Sequence, residues 1–270
     1  MVGLLAGKRV LVTGVLTEAS LASAVTRLAI AQGAEVLLTS PVCRAYRVTA
    51  RVAPRLGVDA EVLELDVSLE QDLADLEAAV RAAGWDRVDG VVHAIGYAPD
   101  GILGRPVSEV PWAGAGETLQ ATAWSLPALV HAVRPLLARG GSVVGLDFDG
   151  SRAWPGWGWM GIGKAALEAA ARYLAVELGP DGIRVNLVSA GPVRTLTSRG
   201  VPGFDEVLVG WDARAPLGWD PRDAEPVAKA VVALLSSWFP ATTGSIVQVD
   251  GGAHAVGVAP PVDRAPGPPA

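Results

Sequence analysis

The sequence predicts an α/β protein with a doubly wound (Rossmann-type) parallel sheet of seven strands in a single domain. Short apolar runs alternate with amphipathic segments from residue 8 to residue 249. Buried parallel strands joined by helical crossovers are typical of this alternation. The chain has 270 residues, half of them hydrophobic, which suits one large α/β domain.

The elements follow in chain order. The apolar runs predict strands over residues 8–13, 34–39, 60–65, 88–93, 141–146, 183–189 and 245–249. The segments between them predict helices over residues 20–32, 44–56, 69–82, 111–138, a segment from about 151 to 178, and 226–237. Residues 1–255 form the predicted nucleotide-binding domain. The tail, residues 256–270, is rich in Pro and Gly, and we expect it to be disordered.

Composition excludes several classes of function. The net charge is −6 and basic residues form no cluster, so we expect no nucleic-acid partner. Cys43 is the single cysteine, and His93, His131 and His254 lie far apart, so we expect no disulfide and no metal site. The first residues show no signal peptide and no apolar run reaches membrane-spanning length, which predicts a cytoplasmic protein.

Several predicted strand ends carry residues suited to a dinucleotide. Gly14 allows a tight turn after the first strand, and Ser20 can cap the next helix, whose free N–H groups would face a pyrophosphate. Asp66 follows the third strand, Gly96 the fourth and Thr195 the sixth. Each feature alone is explained by an ordinary turn or cap. Together, at the carboxyl ends of parallel strands, they indicate a dinucleotide site.

The chain resembles the short-chain dehydrogenase/reductases, and among them the enoyl-acyl-carrier-protein reductases, especially the mycobacterial members. The resemblance rests on GKRVLVTG, LELDV, HAIGYAP, GGSVVGLDFD, WMGIGKAALE, AGPVRT, GWDARAPLGW and PATTG…VDGGAH. It implies a nicotinamide cofactor, NADH rather than NADPH, a small or carrier-bound acyl substrate, and a homotetramer. The candidate cofactor-binding residues are Gly14, Ser20, Leu21, Asp66, Val67, Ala94, Ile95, Gly96, Lys164, Val193 and Thr195.

The resemblance also implies a tyrosine six residues before the catalytic lysine, and this chain has Trp157-x6-Lys164 instead. Seven residues make two helical turns, so we expect both side chains on one helix face. Phe148 matches the aromatic residue beside the nicotinamide, and Tyr97 is the one tyrosine expected near the pocket. The candidate catalytic residues are therefore Phe148, Trp157, Lys164 and Tyr97. An indole can donate one hydrogen bond but cannot relay a proton.

A second departure is the segment between Thr195 and Trp211, which has only fifteen residues, fewer than the resemblance implies. We expect this short segment to form less of the pocket wall around a long acyl chain. Together with Trp112, Trp124, Trp154, Trp157 and Trp159, it suggests a reshaped aromatic pocket. The alternative for each tryptophan is packing in the core or at a subunit interface.

Two functions remain open at this point. The first is an NAD(P)H-dependent reductase of an activated C=C bond, in specialised-metabolite or acyl-chain biosynthesis. The second is a non-redox, pericyclase-like cyclase or isomerase that uses a tryptophan-lined pocket. A cofactor-binding regulator without chemistry has no specific support. For the cofactor, Arg44 and Arg47 could attract a 2′-phosphate or form a solvated helix face.

Overall fold

The computed structural model describes residues 2–41, 44–195 and 197–257. Its centre is a seven-stranded sheet in the order β3-β2-β1-β4-β5-β6-β7, and every strand pair is parallel. The predicted doubly wound Rossmann-type sheet is confirmed. The order reverses between β1 and β4, where Val12 pairs with Leu38 on one side and Val92 on the other. Ligands of open parallel sheets bind at such a reversal.

The strands are β1 Arg9–Val12, β2 Glu35–Ser40, β3 Leu63–Glu64, β4 Val88–His93, β5 Leu137–Asp147, β6 Arg184–Ala190 and β7 Ile246–Val249. The helices are α1 Leu21–Ala31, α2 Arg44–Val52, α3 Glu70–Ala82, α4 Trp112–Leu119, α5 Ser125–Val133, α6 Trp159–Leu178, α7 Phe204–Arg214 and α8 Glu225–Leu235.

Alternate side chains of each central strand enter two separate cores. On one face, Val10, Val12 and Val144 pack with apolar residues of α1 and α8. On the other, Leu11 and Val143 pack with apolar residues of α3, α5 and α6. Burial on both faces explains why the strands read as continuous apolar runs.

Several predicted boundaries were wrong, and one helix was missed. The helix predicted over 111–138 is interrupted by a π-helical turn at Gln120–Trp124, and β5 already begins at Leu137. β3 spans two residues because it pairs with only the end of β2 at the sheet edge. The segment assigned to a short loop contains α7, a helix held by tertiary packing of Phe204, Leu208 and Trp211. α6 begins at Trp159, later than predicted.

Residues 258–270 of the predicted disordered tail, and Cys43, lie outside the described residues. Within residues 2–41, 44–195 and 197–257, no helix combines the length and apolar character needed to cross a bilayer. The same ranges contain no group of three or more His, Cys, Asp or Glu side chains placed to hold a metal ion.

Candidate active site

A cavity of about 820 Å³ runs along the carboxyl ends of the strands and crosses the reversal between β1 and β4. Every candidate residue named from the sequence lines it. These are Gly14, Ser20, Leu21, Asp66, Val67, Ala94, Ile95, Gly96, Tyr97, Phe148, Trp157, Lys164, Val193 and Thr195. The structure therefore brings the whole set to one place, while the role of each residue stays a prediction.

The turn after β1 needs its glycine. Gly14 has φ +80°, and a Cβ atom there would lie 2.0 Å from the carbonyl oxygen of Ala94. A side chain would therefore both strain the backbone and collide with the end of β4. This close approach leaves bare backbone at the floor of the cavity.

The amino end of α1 opens onto the same cavity. The Oγ of Ser20 accepts a hydrogen bond from the Ser23 amide at 3.3 Å and donates one to the Thr17 carbonyl at 2.9 Å. The first helical amides, of Leu21 and Ala22, have no intrahelical acceptor at this position. Both residues line the cavity, and no acidic residue occupies the first turn. This geometry suits an anionic group such as a phosphate.

At the far end, Asp66 and Val67 follow β3. One carboxylate oxygen of Asp66 accepts hydrogen bonds from the amide and hydroxyl of Ser68 at 2.9 and 2.5 Å. The Asp66 amide donates to Asp72 at 2.8 Å. The backbone here is therefore held in a fixed turn beside the cavity.

Lys164 projects from α6 to the middle of the cavity. Its ammonium donates a hydrogen bond of 2.9 Å to the Leu146 carbonyl, and its Nζ lies 3.7 Å from the position of a Cβ atom on Gly96. Burial lowers the pKa of Lys164, while the nearby charge of Asp147 opposes that shift. Glycine at position 96 leaves room beside the ammonium.

Asp147, beside Lys164, was not predicted from the sequence. It lies at the end of β5, is 5% exposed, and both carboxyl oxygens lack a hydrogen-bond partner in the described part of the chain. Burial raises its pKa to about 7; the Lys164 ammonium opposes this rise and the charge of Glu168 adds to it. The sequence did carry one signal for it: Asp147 is the first acid of LDFD and stands between apolar residues at the end of a predicted strand.

The spacing predicted that Trp157 shares a helix face with Lys164, and this prediction was wrong. It lies in the turn before α6, two residues ahead of the first helical residue, and Gly158 (φ +47°) separates it from the helix. The indole and Lys164 still line the same cavity. Tertiary packing, rather than the helical repeat, brings them together.

The Trp157 indole stacks on Phe148, with ring centroids 4.2 Å apart and planes 6° from parallel. Its Nε1 is buried and has no hydrogen-bond partner among the residues described. In this arrangement the N–H group is not presented to the cavity. Donation to a substrate oxygen would require the side chain to turn.

The predicted aromatic pocket is smaller than the sequence suggested. Of the five tryptophans named for it, Trp157 alone lines the main cavity. Trp112 and Trp124 are 74% and 44% exposed on the α4–α5 segment. Trp154 packs on Phe148 and Trp211, and the Trp159 indole donates to the Val107 carbonyl at 3.1 Å.

Comparison with known proteins decides the family. The family model described as enoyl-(acyl carrier protein) reductase matches residues 14–254. This chain belongs to the enoyl-(acyl carrier protein) reductase family. It is 43% identical over 266 residues to the NADH enoyl-acyl-carrier-protein reductase of Mycolicibacterium smegmatis, covering 94% of this chain and 98% of that protein.

More distant members of the enoyl reductase family align over nearly the same length. The Aquifex aeolicus NADH enoyl-acyl-carrier-protein reductase is 35% identical over 258 residues, covering 95% of this chain and 94% of that protein. The Escherichia coli enzyme of the same name is 35% identical over 252 residues, with coverage of 93% and 95%. These alignments therefore cover the residues at both ends of the cavity.

Sequence reasoning did not identify all the residues that line the cavity of this enoyl reductase family member. Leu103, Met160, Val201 and Phe204 line the end of the cavity next to Trp157. They come from a loop, from α6, from the segment before α7 and from the first residue of α7. Single apolar residues in such segments carry no sequence signal, because only the folded chain brings them together.

Proposed function

We propose that the protein transfers hydride from NADH to the C=C bond of an enoyl thioester carried by an acyl carrier protein. The observation that carries this proposal is the single cavity that joins the Gly14 turn, the α1 amino end and Lys164 across the sheet reversal. Relatives aligned over nearly the whole chain are named as NADH-dependent enoyl-acyl-carrier-protein reductases.

The residues at the cavity fit a dinucleotide. Gly14 supplies a surface without a side chain, and the α1 amides with Ser20 suit a pyrophosphate. Asp66 and Val67 would flank the adenine. Ile95 and Gly96 would lie at the middle of the dinucleotide, where the glycine lets the backbone approach it closely. Lys164 would hold ribose hydroxyls, with Val193 and Thr195 at the carboxamide end.

When bound, NADH would supply the hydride for the β-carbon of the thioester, and solvent would supply the proton that the α-carbon then takes up. The protein's own contribution is to position the two reactants and to give the hydride-transfer end an apolar surface. Phe148, stacked on Trp157, gives the reacting end an apolar wall. Because the Trp157 N–H group is buried, this residue presents no hydrogen-bond donor to the cavity. The chain would therefore reduce an activated alkene more slowly than a family member that presents a tyrosine hydroxyl, and would suit ketones poorly.

NADH is preferred over NADPH in this proposal. Thr39 and Pro41 line the cavity at the end of β2, and Lys164 is the one basic residue among its described lining residues. Arg47 is exposed and does not line it. The described lining therefore offers no cation near Thr39 for a 2′-phosphate. The side chain of Arg44 lies outside the described part.

A second candidate is a non-redox cyclase or isomerase that keeps the fold and uses the Trp157 pocket to shape its substrate. The observation in its favour is the same buried indole N–H, because hydride transfer to an enoyl thioester benefits from a donor at the thioester oxygen. We place such chemistry, like reduction, in specialised-metabolite or acyl-chain biosynthesis.

We further propose a cytoplasmic homotetramer. Large apolar side chains stand exposed on α4 and α6, with Trp112 at 74%, Tyr173 at 80% and Val176 at 78%. Such residues are typical of surfaces covered by another subunit. Sedimentation velocity would show a tetramer, and a monomer at micromolar concentration would refute the assembly.

The test of the function follows absorbance at 340 nm with NADH or NADPH and a panel of enoyl thioesters on a carrier. Loss of absorbance that requires both the thioester and the protein, with a saturated product, supports reduction. A rearranged substrate with unchanged NADH supports the second candidate. Calorimetry that detects no binding of either dinucleotide at millimolar concentration would overturn the proposal.

A further inference from the structure

Trp157 separates two cavities. It lines the main cavity of about 820 Å³ and also a second groove of about 480 Å³ on its other side. No other residue in the described ranges lines both. The second groove contains Trp154, Gly156, Gly158 and Ile162, so the turn around Trp157 forms the partition between them.

The partition is closed by three chain segments in backbone contact. The Gly104 amide donates to the Gly156 carbonyl at 2.8 Å. A Cβ atom on Gly156 would lie 2.6 Å from the Pro202 carbonyl oxygen, and one on Gly104 would lie 2.8 Å from the Pro202 ring. Segments that need glycine to approach this closely leave no gap for an alkyl chain.

Apolar side chains seal the cavity in front of this junction. Val201, Phe204 and Leu208 are each at most 9% exposed, and they pack with Leu103 and Trp157. The segment between Thr195 and Trp211 was expected from its length to form less of the wall around an acyl chain. It instead contains the first two turns of α7, whose Phe204 and Leu208 pack with Trp157 and close that end.

Little room remains for an acyl chain. A cavity that holds a single drug-sized ligand measures roughly 300–1,000 Å³. Here about 820 Å³ would have to hold both a dinucleotide and the reacting part of the thioester. Trp157 stacks on Phe148 at the reacting end, so an acyl chain that runs towards it has only the space in front of the partition.

We propose that Trp157 is the end wall of the acyl site, and that the protein acts on enoyl thioesters whose acyl part is short. This inference rests on the proposed function. It makes Trp157 a determinant of chain length, whatever it contributes to the chemistry.

The experiment measures kcat/KM for crotonyl, hexenoyl, octenoyl and dodecenoyl thioesters with saturating NADH. Binding of the matching saturated thioesters is measured by calorimetry. In the wild type, affinity should rise about fourfold per methylene while the site fills. It should then fall by about tenfold or more once the chain outgrows the site. In Trp157→Ala the space of the indole becomes free while the backbone junction behind it stays closed, so the optimum should move to longer chains.

Trp159→Phe is the matched control, since Trp159 lies two residues away and does not line the main cavity. It should keep the wild-type preference. The wild-type series tests the inference even if Trp157→Ala does not fold. Equal kcat/KM for crotonyl and dodecenoyl thioesters in the wild type, or affinity that keeps rising with chain length, would refute the role of Trp157 as the end wall. Neither result would contradict the proposed reductase activity. Neither reduction nor binding at any length would overturn the function and the inference together.

Discussion

Replacing Trp157 with tyrosine tests how far the indole limits hydride transfer. In the wild type the N–H group is buried without a partner, so this position presents no donor to the cavity. Tyrosine keeps an aromatic ring for the stack on Phe148 and adds a hydroxyl at its tip. A donor of this kind is worth about 10²–10³ in kcat. We therefore expect kcat to rise by up to that factor.

The same change should alter stability little. The smaller ring loses contacts with Leu103, Val201 and Phe204, at a cost of about 1–2 kcal/mol in the free energy of unfolding. Removing a buried N–H that has no partner returns about 1–3 kcal/mol. The two effects nearly cancel, so urea unfolding of the variant should stay close to that of the wild type.

The assay is NADH oxidation at 340 nm with a saturating crotonyl thioester. Trp157→Phe is the control, because it has the ring of tyrosine without the hydroxyl, and its kcat should stay near the wild-type value. If the tyrosine and phenylalanine variants are both folded and share the wild-type rate, Trp157 only packs. A lower rate in Trp157→Tyr, with native turnover of a non-redox substrate also reduced, would favour the cyclase or isomerase.

Four further outcomes follow from the site. Burial raises the pKa of Asp147 to about 7, so the folded state holds this proton up to about that pH, and stability should fall as pH rises from about 4 to about 7. The difference between wild-type and Asp147→Asn urea curves measures this; matching slopes would contradict it. His93 is fully buried, and burial lowers its pKa to about 3, so stability should instead fall as pH drops from about 6.5 towards 3. His93→Gln should lose that slope, and a persistent slope would assign it to other groups. Lys164→Ala should weaken NADH binding about tenfold to 100-fold in calorimetry, whereas unchanged affinity would remove the ribose role. Gly14→Ala should abolish detectable NADH binding because the new Cβ meets the Ala94 carbonyl, and wild-type affinity would refute the role of the Gly14 turn in cofactor binding.

The site could be predicted from the sequence as far as strand ends determine it. Gly14, Asp66, Gly96 and Thr195 all follow strands of a parallel sheet, and the carboxyl ends of those strands meet at one edge. Their position at one cavity therefore follows from the hydrophobic pattern and the topology rule. The residue types at those ends then indicated a dinucleotide before any contact was known.

Contacts between segments far apart in the chain could not be predicted. The spacing of Trp157 and Lys164 suggested a shared helix face, yet the helix starts after Trp157. Asp147 looked like one more acid in LDFD, and its burial without a partner depends on what α6 places above it. Residues 204–214 gave only a weak amphipathic signal, so α7 was missed.

The sequence alone determined the order of the seven strands, the doubly wound sheet and the cavity edge on which the candidate residues lie. These features depend on local periodicity and on the few topologies that a parallel sheet allows. The tertiary structure alone decided the stack of Trp157 on Phe148, the buried N–H and the closed acyl end. Those depend on how the segments around Gly104, Gly156 and Pro202 pack together, and side-chain packing between distant segments leaves no periodic trace in a single sequence.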